Sequence, residues 1–206
     1  MNIKLGKISS LVTGIAVLSF AISMIAFRGV FASCLSSIFI SIGFVAFMCS
    51  IFAVNERPER KAVGYTGIAF SAVYAVIILL VYYAECTTLR LNASLSDEVL
   101  SIISYGHTGS LFFNYDLLGY AFMALTTFLM AFLVEPACKA DKVFRWMLWI
   151  HGVFFLTCLF VPMFPVFTAD TESYIGVVLL EFWCAYFIPV CVLGYRYFCK
   201  REGKKI

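Results

Sequence analysis

Asp116, Glu181 and His151 each stand inside a run of apolar residues long enough to cross a lipid bilayer. Ionisable side chains are expensive in hydrocarbon, so those that occur there are the first candidates for function. At about 1.5 Å of rise per residue, Asp116 lies roughly 8 Å below the outer end of its run and Glu181 roughly 10 Å below the outer end of its own. Asp116, Tyr120, Met123 and Thr127 share one helical stripe, and Glu181, Cys184, Ala185 and Ile188 share another. If those stripes meet, the two carboxylates perturb each other's ionisation. Such a pair could hold a proton or receive a cationic or amine-bearing ligand. Glu85 ends the third run, His107 precedes the fourth, and Asn114, Tyr82, Tyr83 and Tyr115 add polar tips at the same level. An acidic cavity open to the outside is the expectation, with Asp116 and Glu181 at its floor. The competing reading of each acid is a structural carboxyl bonded to a tyrosine or serine. His151 starts near the inner end of its helix, about 12 Å from the acids across a core of about 30 Å. That depth separates it from them and leaves it either a step in a proton relay or a packed histidine bonded to a neighbouring helix.

The elements that must position these residues follow from composition. Of 206 residues, 63% are hydrophobic and 13% charged, with a mean hydropathy of +0.96. Soluble domains are nearer half apolar and a quarter charged. One soluble core could not hide this surface, which excludes a cytosolic enzyme, a nucleic-acid binder, a disordered chain and a disulfide scaffold. The apolar runs are residues 8–27, 30–54, 62–84, 111–134, 146–167 and 174–195. They are continuous rather than alternating, so the expected fold is an all-α bundle of six transmembrane helices and not a β-barrel. The join at Arg28-Gly29 demands a tight hairpin.

Charge sets the orientation. An even number of spans puts both termini on one side with the 55–61 and 135–145 loops. That side carries thirteen Lys and Arg against five acids, a net of +8, while the other carries two against seven, a net of −5. The first side, with both termini, is therefore expected to be cytoplasmic, its basic rim facing anionic lipid headgroups. No basic stripe interleaved with exposed aromatics argues for nucleic acid.

Between spans three and four, Ser96-Asp97-Glu98 reads as a helix start, a capping hydroxyl with acids in the first turn. Val99, Leu100, Ile102 and Ile103 give it an apolar face, so a short amphipathic helix is expected in the outer loop. Ser33, Ser37 and Ser41, then Gly64, Gly67 and Ser71, form small-residue stripes of the kind that let membrane helices approach closely. Pro162, Pro165 and Pro189 are expected to bend or end the last two helices. Of eight cysteines only Cys34 and Cys86 lie near the outer face, and whether they pair is open. The chain has no C-x-x-C pair, no H-E-x-x-H, no G-x-S-x-G and no phosphate loop, so neither a metal, a cofactor nor an enzymatic reaction is expected.

The six-span layout, with Tyr105-Gly106-His107, Asn114-Tyr115-Asp116 and Gly119-Tyr120, resembles bacterial six-helix membrane proteins of about 200 residues whose function is unassigned. The resemblance implies a cell-membrane location and no particular activity. The leading expectation is small-solute or proton binding or transport through the outer acidic cavity, with Asp116, Glu181, Glu85, His107, Asn114, Tyr120 and His151 as its residues. The second is an accessory or sensory subunit acting through helix–helix contacts with a membrane partner or a second copy of itself.

Overall fold

A computed structural model describes residues 1–26, 30–164 and 173–203. The Arg28-Gly29 hairpin, Pro165, Asp170, Glu172, Lys204 and Lys205 lie outside the described residues. All regular structure within them is helical: α1 (Asn2–Ala26), α2 (Phe31–Ala53), α3 (Lys61–Ala84), α4 (Asp97–Ile103), α5 (Leu111–Ala131), α6 (Lys139–His151), α7 (Val153–Phe160) and α8 (Ser173–Glu202). Five stretches are long and apolar enough to cross a membrane: Asn2–Ala26, Phe31–Ala53, Pro58–Leu89, Lys139–Met163 and Gly176–Glu202. The 21-residue α5 falls outside that group because Asn114, Asp116 and two tyrosines dilute its apolar residues.

Several boundaries depart from expectation. The fifth run is one continuous span in the sequence, but its helix starts at Lys139 and breaks at Gly152 into α6 and α7. Around the break the backbone tightens, with Gly152 N–H donating to Trp149 O at 3.0 Å and Phe155 N–H to Gly152 O at 3.1 Å. Phe128 packs against the bare glycine there, 2.8 Å from where a β-carbon would sit. Pro162 falls in a short 3-10 turn, Val161–Met163, that continues α7. Pro189 does not end its helix: α8 runs through it from Ser173 to Glu202. Proline has no N–H to donate, so one backbone hydrogen bond of that helix is missing. Helix α4 begins where the capping chemistry places it: Ser96 Oγ accepts from Val99 N–H at 3.3 Å.

The long helices form a ring. α1 lies between α2 and α8, α2 leads to α3, α3 packs on α5, α5 on α6 and α7, and α6 returns to α8. Ser33, Ser37, Ser41, Gly64, Gly67 and Ser71 are all buried, so the small-residue stripes do face neighbouring helices. Aromatic rings fill the centre: Phe44 meets Tyr74 edge-on at 5.1 Å, and Phe47 stacks on Phe144 at 6.2 Å.

One end is tied by polar contacts. Arg57 pairs with Glu135, Arg60 donates to Phe132 O at 2.7 Å, and Asn55 Nδ2 donates to Leu133 O at 2.9 Å. Lys7 meets Glu202 at 2.8 Å, and Arg201 reaches Val54 O at 3.5 Å and Glu135 O at 3.4 Å. Exposed pairs of this kind add little stability. They do show that both ends of the chain and the two basic loops gather at the same end of the ring.

Helices α1 and α2 approach each other closely at Gly43. A β-carbon on Gly43 would lie 2.5 Å from Thr13 Oγ1 and 3.4 Å from Thr13 Cα. Thr13 cannot swing away freely, being β-branched and donating to Ser9 O at 2.7 Å. Gly43→Ala is therefore expected to destabilise the folded protein by about 1–3 kcal/mol, read as a lowered thermal midpoint in detergent. Gly203, with nothing within 4 Å, supplies the neutral control.

Candidate functional site

The tethers that fix the opposite end of the ring build the site. Helix α3 passes into a π-type turn, Glu85–Leu89, whose wider winding marks it off from the regular helix. Glu85 is 5% exposed and accepts from Tyr105 N–H and, at 3.3 Å, from Ser104 Oγ. It thus pins the segment after α4 to the end of α3. Ser110 makes a second tie, donating to Ser104 O at 2.6 Å while capping α5 by accepting from Phe113 N–H at 3.2 Å. Gly109 enters that cap at φ 80°, a left-handed conformation suited to glycine. Asn114 Nδ2 donates to Gly109 O at 3.2 Å.

Asp116, in the second turn of α5, is 3% exposed. Its Oδ1 accepts from Tyr82 Oη of α3 at 2.7 Å. Its other oxygen has no protein hydrogen bond, and no Lys or Arg pairs with the carboxylate, among the described residues. The phenols of Tyr74, Tyr82, Tyr105 and Tyr120 all lie within electrostatic reach of it. Tyr105 sits edge-on to Tyr82 at 5.3 Å, Tyr120 edge-on to Tyr74 at 6.1 Å and to Trp183 at 5.0 Å. Among the described residues the buried Tyr74 and Tyr120 hydroxyls have no hydrogen-bond partner.

Asp116 opens onto a cavity of about 390 Å³ between α5, α7, α8 and the loop before α5. Tyr105, Thr108, Tyr120, His151 and Thr157 supply its other polar groups. Phe113, Leu117, Phe154, Val161, Leu179, Leu180, Phe182 and Trp183 make the rest of the wall mostly apolar. One buried carboxylate among aromatic faces suits a cation: the acid supplies charge, the rings supply quadrupoles, and the dry wall strengthens both.

His151, expected to stand apart from the acids, lines this same cavity. Trp183 Nε1–H donates to His151 Nε2 at 3.1 Å, and an indole nitrogen can only donate. The proton of the neutral ring therefore belongs on Nδ1, 2.8 Å from Thr127 Oγ1, whose own hydroxyl turns to Ala124 O at 2.8 Å. Every ring nitrogen is satisfied. His151 ties α6 to α5 and α8 as a packed histidine, stacked on Tyr186 at 5.9 Å. Trp183→Phe removes its donor and is expected to cost about 1–3 kcal/mol, seen as a lower thermal midpoint than the wild type at neutral pH.

Among the described residues Glu181 is not one of those lining the cavity and shares no hydrogen bond with Asp116. It is half-buried on α8, with Oε1 enclosed and unpartnered. His107 is exposed in the turn before α5, within electrostatic reach of Glu85. Asp116, Tyr120 and His151 are thus brought together, while Glu85 and Asn114 brace the loop around them. Cys34 and Cys86 are both buried and both free. Among the described residues no three His, Cys, Asp or Glu side chains converge as metal ligands would. Tyr105 and Trp183 escaped the sequence reading. Trp183 carried a usable signal, since an indole N–H within an apolar run needs an acceptor on another helix.

No family model, curated protein or solved structure matches the chain.

Proposed function

We propose that the chain is a six-span protein of a bacterial cell membrane, both termini cytoplasmic, that binds a small cationic or amine-bearing solute in an outward-facing cavity at Asp116, for transport or sensing. Five apolar stretches support a multi-pass membrane protein, and α5 is the sixth span, its low hydropathy reflecting the site it carries. The basic surplus at the end holding both termini argues for that end being cytoplasmic. The observation that carries the functional reading is an acid 3% exposed, without a cationic partner among the described residues, facing a largely apolar cavity beside the unpartnered Tyr120 hydroxyl. Protons compete for the same carboxylate, so uptake coupled to proton release is the matching transport mode.

The test uses the full chain in lipid nanodiscs, titrated with methylammonium, tetramethylammonium, a neutral isostere and acetate while the thermal midpoint is followed. A midpoint raised by the cations alone supports the reading. Equal responses to the cations and their neutral isostere, or no response to any, overturn it.

One observation favours a second reading, an accessory or sensory subunit working through helix contacts. Glu181 Oε1 is enclosed yet unpartnered, and a lone acid on a membrane helix is satisfied by a polar group on another. Co-purification of a stable membrane partner, or a dimer lost in Glu181→Gln, would support it.

A further inference from the structure

A second cavity, of about 370 Å³, lies at the other end of the ring between the start of α3, the end of α5 and α6. Arg60, Arg145, Trp146 and Trp149 line it, with Val63 and Phe132 as its apolar wall. Its polar groups are donors. Arg145 has no acidic partner among the described residues. The nearest acid along its helix, Asp141, is buried and already accepts from Ala137 N–H at 2.8 Å. Arg60 spends one nitrogen on Phe132 O and lies 3.9 Å from Glu135, whose closer partner is Arg57. Neither Trp146 nor Trp149 gives its indole N–H to a protein acceptor among the described residues, although the two rings meet edge-on at 5.5 Å. Trp149 is held in place by stacking on Phe128 at 5.7 Å.

An arginine fork beside two half-exposed indoles, at the level where apolar helix gives way to charged loop, matches the chemistry of a lipid headgroup. We propose that this groove holds the phosphate of an anionic phospholipid, with Arg145 gripping the phosphate oxygens, the indole N–H groups donating to the glycerol region and the acyl chains running along Val63 and Phe132. A soluble anion would use the guanidinium alone and leave the tryptophans and the apolar wall without a role. Excess positive charge selects against a zwitterionic headgroup, whose own cation would approach Arg145. This site shares no residue with the cavity at Asp116 and stands or falls separately from it.

The full chain, stripped of loosely held lipid and placed in phosphatidylcholine nanodiscs with a rising share of phosphatidylglycerol, is assayed for retained lipid by native mass spectrometry. The expected result is preferential retention of phosphatidylglycerol, weakened about tenfold in Arg145→Gln, as loss of one charge-assisted contact implies. Arg145→Lys should keep the preference with lower retention. Trp149→Phe preserves the stack on Phe128, removes only the donor, and should weaken retention in the same direction, which gives a reading even if Arg145→Gln fails to fold. Equal retention of the two lipids, unchanged retention in these variants, or equal protection by inorganic phosphate at matched concentration would each overturn the proposal.

Discussion

Asp116→Asn is expected to weaken recognition of ammonium ligands roughly ten- to hundredfold while leaving the fold intact. Asparagine is nearly isosteric, and its carbonyl oxygen still accepts from Tyr82 Oη, the one protein contact the carboxylate makes at 2.7 Å. What disappears is the charge. A hydrogen bond to a charged group contributes about 1.5–3 kcal/mol, so affinity should fall roughly ten- to hundredfold with the thermal midpoint of the empty protein unchanged. Asp116→Ala differs in kind, because it also strands the buried Tyr82 hydroxyl and should lose about 1–3 kcal/mol of stability. Tyr82→Phe separates the two effects, keeping the charge and removing the donor. Calorimetric titration of tetramethylammonium against the three variants, alongside their melting curves, checks the expectation. An Asp116→Asn protein that binds as the wild type does would make the carboxyl a purely structural partner of Tyr82.

The second large effect is expected at Glu85. Glu85→Ala leaves the buried Tyr105 N–H and the Ser104 hydroxyl without their acceptor. The loss for two stranded groups is about 2–5 kcal/mol, enough to threaten a protein of ordinary marginal stability. Loss should be local first, since the other tie, Ser110 Oγ to Ser104 O at 2.6 Å, remains. Hydrogen exchange at Tyr105 and the residues before α5 should accelerate ahead of the rest of the chain. Ligand affinity should fall with it, because Tyr105 lines the cavity. Glu85→Gln can keep one acceptor and should lie near the wild type. Uniform loss of protection throughout the bundle would show Glu85 to be a general stabiliser rather than a loop anchor.

Much of this site was legible along the chain. Asp116 stood out because an acid in an apolar run is expensive. The capping serine of α4 and the small-residue stripes were equally readable, since capping and close packing need particular residue types at particular spacings. Tyr82 was visible as a polar tip but not as the donor to Asp116, a contact between residues 34 positions apart. His151 was read from depth along a straight helix. The structure places it on the wall of the cavity that Asp116 opens onto. Glu181 was matched in depth to Asp116 along the sequence, but it is not among the residues that line the cavity.

Composition, run length and charge asymmetry thus pointed by themselves to an all-helical chain of membrane-spanning character and to the loops that share an end. Only the tertiary structure decided which way each helix turns about its own axis. In a soluble helix that rotation is written in the sequence, because the apolar stripe must face the core. Lipid tails are as apolar as leucine, so a membrane helix carries apolar side chains on both its buried and its exposed faces. Val17 and Phe20 of α1 are fully buried while Ile15 and Leu18 are about half exposed, and hydrophobicity does not tell them apart. Packing and a few polar bonds choose the rotation, and that choice turned Asp116 towards Tyr82 and Trp183 towards His151.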